Sequence, residues 1–379
     1  MRIFHNFKFD FLSRRKYAYL ISGTFFLVGV ISTVFRGFHF GVDFKGGSEI
    51  VLQFEKPVQI ANVRNYVEGI GLGFVEVKTF GGETGIMIRT DQQVIPAQIY
   101  PKVVAGVEAE INKIIPGVPR KIVDSTAASV TYAFENPDTT NKIVDALSGM
   151  GYQSSKVSEE PTNTQMLISV GIADWIKENL RAKISENSFI ILKEDKVGPK
   201  IGEELKRDAV LAIFFSLIGI LIYLGFRFKF IFAFGAVVAL FHDVLITLGL
   251  YAALYGVIPG LNLDIDLTIV AAFLTLIGYS VNDTVVVFDR VRENLKIHKT
   301  RPIFDIINDS MSQTMSRTVL TGGTTLLSLL VLLIFGGEVL RAFAFTLFFG
   351  IIIGTYSSVF VASVLVYEYV TRFNKKVEF

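Results

Sequence analysis

The chain has 379 residues, 51% hydrophobic and 19% charged, with a net charge of +2 and a mean hydropathy of +0.49. A soluble domain carries about 25% charged residues, so part of this chain is built for lipid, and so small a net charge does not point to a nucleic-acid partner. The lack of cysteine excludes disulfides, thiol nucleophiles and cysteine metal sites, and four separated histidines argue against a structural metal.

The amino-terminal stretch 1–16 holds Arg2, Lys8, Arg14, Arg15 and Lys16 and reads as a cytoplasmic end. The first apolar run, about 17–35 with its flank at Arg36, has the roughly 20 residues that a helix needs to cross the hydrocarbon core. It is expected to stay as an uncleaved anchor: its core is too long for a signal peptide, and Phe35-Arg36-Gly37 offers no small-residue cleavage site.

The segment 37–207 is too polar for lipid and is expected to lie outside the membrane. Ser48–Phe54 alternates like a strand, Gln59–Ile70 has helical spacing, Phe74–Phe80 and Thr84–Thr90 read as strands, Ala97–Ile115 as a helix and Lys121–Asp124 as a strand. That order, β-α-β-β-α-β, is ferredoxin-like. A shift of 80 residues superposes Phe54-Glu55-Lys56-Pro57 on Phe134-Glu135-Asn136-Pro137 and Gly69-Ile70-Gly71 on Gly149-Met150-Gly151. Eight identities in the 35 positions 54–88 exceed the roughly two that composition supplies. The reading is two tandem α+β units, 46–124 and 127–196, with each Gly-x-Gly at a helix stop that favours positive φ. Chance likeness between ordinary α/β stretches is the alternative. Gly81-Gly82-Glu83-Thr84-Gly85 is a hairpin turn rather than a phosphate loop, because strands flank it. No catalytic constellation or cofactor motif is present, so binding, through strand edges that could pair with an extended polypeptide, is expected rather than an enzyme activity.

Five more apolar runs fill 208–370: about 208–226, 230–252, 266–288, 318–336 and 341–369. The fold class is therefore a polytopic α-helical membrane protein with six spans and an α+β, ferredoxin-like, duplicated extracytoplasmic domain. Basic residues set the orientation: Arg227 and Lys229, then Arg290, Arg292, Lys296, Lys299 and Arg301, then Arg372, Lys375 and Lys376 all fall on the side of the amino terminus. Both termini, the tail 371–379 included, are expected in the cytoplasm. The loop 289–311 is expected to form an amphipathic helix on the inner leaflet or, more plainly, a positive-inside loop.

Ionisable groups inside spans are costly and point to function. His242 and Asp243 sit mid-way along the third span, where a structural helix-to-helix hydrogen bond and a proton relay are equally open readings. Asp283 heads a stripe with Ser280 and Tyr279 in the fourth. In the fifth, Arg317, Thr321, Thr324 and Ser328 share one helical face. Asp283 and Arg317 could meet near the cytoplasmic third if the fifth helix begins well before Thr318. A carboxylate there could hold or release a proton as the guanidinium approaches or withdraws. The plainer alternative has Arg317 snorkel to headgroups. Gly350 and Gly354 form a GxxxG that says little alone.

Gly41-Val42-Asp43-Phe44-Lys45-Gly46-Gly47 resembles the signature shared by SecD and SecF proteins. Val197-Gly198-Pro199 with Gly202-Glu203-Glu204-Leu205, His242-Asp243-Val244, the run from Gly278 through Asp283 to Asn294, and Ser316-Arg317-Thr318 are similar to SecF patterns at the later spans. The likeness covers about 1–55 and 195–370. It implies an inner-membrane subunit that pairs with a SecD-like subunit, in an arrangement similar to resistance–nodulation–division transporters. It also implies association with the SecYEG channel and SecA, and use of the proton gradient to help move unfolded preprotein. By that resemblance Asp283 and Arg317 match positions tied to proton coupling, and Asp43 with Gly41, Gly46 and Gly47 would shape the junction after the first span. Two outer units depart from the family's usual single small domain. Half of a resistance–nodulation–division exporter of small molecules or lipids is the rival reading, and a non-transporting scaffold is a third.

Overall fold

The protein is described from a computed structural model covering residues 9–150, 152–258 and 261–373. Arg2, Lys8, Gly151, Lys375, Lys376 and the tail beyond Phe373 lie outside the described residues. The chain forms two compact units, Met1–Asp43 with Glu204–Phe379, and Phe44–Glu203.

In the helical unit, α1 (Arg15–Arg36) stops at Gly37, and a separate single helical turn α2 (Val42–Lys45) follows at the border of the second unit. That second unit holds β1 (Gly47–Phe54), α3 (Ile60–Glu68), β2 (Val75–Thr79), β3 (Gly85–Thr90), α4 (Tyr100–Ile114), β4 (Arg120–Thr126), β5 (Ser129–Phe134), α5 (Pro137–Gly149), β6 (Ser154–Lys156), β7 (Gln165–Ser169), α6 (Ile172–Lys183) and β8 (Phe189–Val197). They form two four-stranded sheets, ordered β2-β3-β1-β8 and β4-β5-β7-β6, in which every pairing is antiparallel.

The strand expected at 121–124 does not close the sheet of the first unit. As β4 it hydrogen-bonds β5, while β8, from the end of the domain, takes the place beside β1. The tight turn after Thr126 lets β4 zip onto β5 at once, with Thr126 opposite Ser129. Helices follow their strands: α6 packs on α3, and α4 on α5. One apolar core joins both sheets. Ile50, Leu52 and Phe54 alternate inward from β1, Val63 and Val67 from α3, Val103, Val107 and Ile111 from α4, and Ile172, Ile176 and Leu180 from α6. On the other face of β1, the buried Glu49 pairs with Arg89 of β3 and with Lys193 of β8 at 3.3 Å.

Gly81–Gly85 is a turn between β2 and β3, closed by Phe80 N–H donating to Gly85 O at 2.8 Å. Gly71 has the positive φ expected after α3, at +86°, but Gly149 is an ordinary helical residue. Gly46 and Gly47 need theirs, at +75° and +114°: a Cβ on Gly47 would lie 2.3 Å from Thr90 O.

The helical unit continues with α7 (Pro199–Arg227), α8 (Phe230–Leu254), α9 (Leu267–Ile297), α10 (Ile303–Phe335), α11 (Glu338–Ser357), a π-helical turn at Ser358–Ala362, and α12 (Ser363–Arg372). Six segments are long and apolar enough to cross a membrane: Leu12–Arg36, Pro199–Arg227, Phe230–Leu254, Leu267–Ile297, Ile303–Phe335 and Glu338–Arg372.

The basic stretch after the fourth span is not a separate surface helix. α9 runs on to Ile297 and α10 begins at Ile303, so the loop 289–311 shrinks to His298–Pro302. At 31 and 33 residues these helices outrun the roughly 30 Å of hydrocarbon by several turns. The extensions hold each other by polar contacts: Asn294 Nδ2 donates to Ser310 Oγ at 2.8 Å, and Arg301 pairs with Asp309 at 2.7 Å. Asn308 accepts the Phe11 and Leu12 amides at 3.1 Å each, tying the start of the first span to the same place.

Candidate functional site

The motif after the first span works as a clamp on the fourth. Ile265 N–H donates to His39 O at 2.8 Å, and Gly41 N–H to Ile265 O at 2.9 Å, as a short parallel bridge. Asp43 Oδ2 then accepts the Leu267 amide, the first of α9, at 3.0 Å. Asp266 accepts the Ile269 amide at 2.9 Å, so two carboxylates cap one helix start whose free amides carry partial positive charge. Gly41 permits this approach: a Cβ there would stand 3.1 Å from the Asp266 side chain.

Two acids lie inside the bundle. Asp243 of α8 is 1% exposed; its Oδ2 accepts from Ser280 Oγ of α9 at 2.7 Å and from Ser357 Oγ of α11 at 2.9 Å. Its Oδ1 lies 3.0 Å from His242 Nδ1, and His242 Nε2 lies 3.0 Å from Ser22 Oγ of α1. Asp283 of α9 is 4% exposed, with Thr355 Oγ1 of α11 donating to it at 3.5 Å.

Arg317 is exposed on α10, yet close enough for Coulomb attraction to act on Asp283; no direct ion pair joins them among the described residues. The condition on the fifth helix is met, since α10 starts at Ile303. Thr321 shares the helix but not the contact, because its hydroxyl donates to Arg317 O at 2.9 Å and Thr318 O at 3.3 Å, the usual fate of a threonine in an apolar helix.

The stripe expected from Asp283 divides. Tyr279 turns to α10, donating to Thr325 Oγ1 at 3.1 Å, and Ser280 turns to Asp243. Adjacent helical residues point about 100° apart, so 279 and 280 serve different neighbours. The residues that sequence reading missed are Thr355, Ser357 and Ser358 on the sixth span. Ser358 Oγ lies 2.8 Å from Thr284 Oγ1. Their signal was the polar run Gly354-Thr355-Tyr356-Ser357-Ser358 in an apolar span. Gly354 admits the cluster, as a Cβ there would sit 2.8 Å from Ser280 Oγ, and a Cβ on Gly350 would stand 2.5 Å from the Leu276 side chain. The GxxxG is thus the contact between α11 and α9. The π-helical turn that follows is a feature that recurs at functional sites. No group of three or more metal-ligating side chains occurs among the described residues.

Six spans, a folded domain between the first two, and buried acids held by hydroxyls across three helices define a multi-pass membrane protein with a polar centre in its bundle. The family described as "Protein export membrane protein SecD/SecF, C-terminal" matches residues 176–372, and the "SecD/SecF GG Motif" matches 31–58. A protein translocase subunit SecF from Rhodothermus marinus is 39% identical over 97% of this chain and 95% of its own length. One from Koribacter versatilis is 36% identical over 97% and 93%. The crystal structure of SecDF, a translocon-associated membrane protein from Thermus thermophilus, matches 98% of this chain with a TM-score of 0.68 and 28% identity. A SecDF in a super-membrane-facing form matches with a TM-score of 0.57 and 29% identity. This chain spans 39% and 40% of those two solved chains. The chain belongs to the SecD/SecF family of protein export membrane proteins.

Proposed function

We propose that this chain is the SecF-type accessory subunit of a Sec protein-export complex. In this reading it lies in a bacterial inner membrane with both termini cytoplasmic and the sheet domain outside. With a SecD-like partner, and alongside SecYEG and SecA, it uses the proton gradient to draw unfolded preprotein across. The observation that carries the reading is Asp283, a buried carboxylate on the helix with the family's motif, within reach of the Arg317 charge but not locked to it. A guanidinium that moves relative to such a carboxylate changes its hold on a proton. Asp243 and His242 form the second polar centre of the same path, and Thr321 a neighbour on the Arg317 helix.

The partner explains a face that lipid would not tolerate. Thr275, Gly278 and Asn282 of α9, and Arg317, Thr324 and Ser328 of α10, are exposed at membrane depth. Such residues face other helices or a wet path. The sheet domain reads as two ferredoxin-like halves that have exchanged their last helix and strand: α6-β8 completes the first half and α4-β4 the second. Its open edges β4 and β8, with Ile122, Val123, Ile190 and Leu192 exposed, offer strand pairing to an extended chain.

The test is depletion with an assay of unprocessed secretory precursors, then complementation. Asp283→Asn and Arg317→Ala are expected to insert normally and to abolish the proton-driven part of export. Full export by either variant refutes the relay; normal secretion on depletion, with loss of small-molecule or lipid efflux, refutes the export reading.

A further inference from the structure

The first span reaches the polar centre at one place, and the bonds there can be counted. Tyr356 O–H of α11 donates to Ala18 O of α1 at 2.7 Å. A carbonyl can only accept, so this proton is committed. The Tyr356 oxygen, 3.0 Å from Ser22 Oγ, must then accept from Ser22. The Ser22 oxygen, 3.0 Å from His242 Nε2, must accept from Nε2–H. With its proton on Nε2, a neutral ring presents a bare lone pair at Nδ1, which lies 3.0 Å from Asp243 Oδ1. Asp243 Oδ2 is already taken by Ser280 and Ser357, so Oδ1 is the oxygen left to share a proton. All four contacts from Ala18 to Asp243 are satisfied together only when one proton sits between His242 Nδ1 and Asp243 Oδ1.

We propose that Ala18, Ser22 and Tyr356 form a proton-linked latch that ties the first span to α11 by two bonds while the His242–Asp243 pair carries its proton, and by one when that proton leaves. When the proton passes to water, a lone pair faces a carboxylate at 3.0 Å. Relief requires the ring proton on Nδ1, donating to Asp243, and Ser22 turned to donate to Nε2. Tyr356 must then give its proton to Ser22 and abandon Ala18, or keep Ala18 and lose Ser22. Either way a link between α1 and α11 breaks. Elsewhere α1 packs along α8, where Gly29 meets Gly249, and Arg15 lies beside Glu368 of α12, so the break loosens α1 from α11 without detaching it from the bundle. The output of the switch is thus a change in how α1 is held against α11. Ser22 and Tyr356 are positioning residues for this pair.

The groups facing the pair are Ser22 and the Ala18 carbonyl from α1, Ser280 from α9, and Tyr356 and Ser357 from α11; none is a charged side chain. The charged contact at the start of α1 is Arg15 with Glu368 of α12, 3.4 Å apart, and it provides a control. The inference rests on the reading that the bundle handles protons, but not on the Asp283–Arg317 pair.

The full chain has no cysteine, so spin labels at Leu20→Cys on α1 and Ile352→Cys on α11, both exposed, report their separation in lipid nanodiscs. The separation is expected to step between low and high pH in the otherwise native chain. Asp243→Asn, whose amide donates permanently to Nδ1, is expected to hold the low-pH separation at every pH. Ser22→Ala is expected to lose the step, and Ser22→Thr to keep it. Asp283→Asn and Glu368→Gln are expected to retain it, so a failed relay in export assays leaves this measurement intact. A separation that ignores pH, a step that survives in Ser22→Ala or Asp243→Asn, or a step lost in Glu368→Gln overturns the latch.

Discussion

Asp43 connects the signature after the first span to the helix that carries Asp283, and its cap can be removed cleanly. Asp43 accepts the Leu267 amide at 3.0 Å, while Asp266 accepts the Ile269 amide at 2.9 Å. Replacing an N-terminal capping carboxylate by alanine costs about 0.5–2 kcal/mol, of which the charge at the helix end supplies about 0.3–1. Asp43→Ala should therefore speed exchange of the Leu267 amide roughly 2- to 30-fold, the factor that about 0.5–2 kcal/mol represents. Asp43→Asn keeps the acceptor oxygen and loses the charge, so its effect should fall between. Hydrogen exchange in nanodiscs resolves the first turn of α9 from the rest of the helix. Asp283, 16 residues on (283 − 267), lies about 24 Å along the axis at 1.5 Å per residue and should keep its protection. If the Leu267 amide exchanges equally fast in Asp43→Ala and native protein, the motif does not act through the cap.

Two further substitutions probe the packing and the sheet domain. Gly354→Val would push a branched side chain into Ser280 Oγ, 2.8 Å from the added Cβ, with Asp243 Oδ2 at 3.4 Å. Overpacking of this kind costs about 1–3 kcal/mol, and a lower melting temperature with export lost should accompany it; unchanged melting would refute the contact. In the sheet domain, burial and then the facing Glu110 push Glu178 above its ordinary 4.5, and burial pushes Asp174 above 3.8. A carboxyl with a raised folded pKa keeps its proton when the unfolded chain has lost it, so stability falls as pH rises through and above the ordinary carboxyl range. Glu178→Gln should flatten that fall, read from the single tryptophan, Trp175, whose indole N–H donates to Ile70 O at 3.2 Å inside this domain. An unaltered pH slope would refute the assignment.

The parts of this protein legible in sequence are those written in local period and in single costly residues. Alternation gave β1, β2 and β3 to within a residue or two, and Asp243, Asp283 and Arg317 stood out because charge in an apolar run is expensive. The partners of His242 and Asp243 were not legible, since Ser22, Ser280 and Ser357 come from three other spans and a serine in a helix can equally bond its own backbone. The extensions of α9 and α10 read as a surface helix because a continuing helix and an amphipathic one share the 3.6 period. What distinguishes them is Asn294 meeting Ser310, a contact between helices.

The pairing of β8 with β1 was hidden for a different reason: β4 and β8 both fit the edge position beside β1, and pattern alone favours the nearer one. The observed pairing joins residues 135 apart at its near end (189 − 54) and 150 at its far end (197 − 47). It is secured by specific chemistry: Lys193 of β8 reaches buried Glu49, and Phe189 packs its ring 5.0 Å from Phe54. β4 has Lys121 and Asp124 but no aromatic residue to place against Phe54. Gln53 faces Ile190 across the pair, with Ile190 63% exposed. Directly opposed Cα atoms in antiparallel strands are about 4.5–5.5 Å apart, within reach of a disulfide. In this cysteine-free chain, Gln53→Cys with Ile190→Cys should therefore form an intramolecular bond on mild oxidation, and Gln53→Cys with Lys121→Cys should not. A bond in the second pair and none in the first would place β4 rather than β8 beside β1 and refute the observed sheet order.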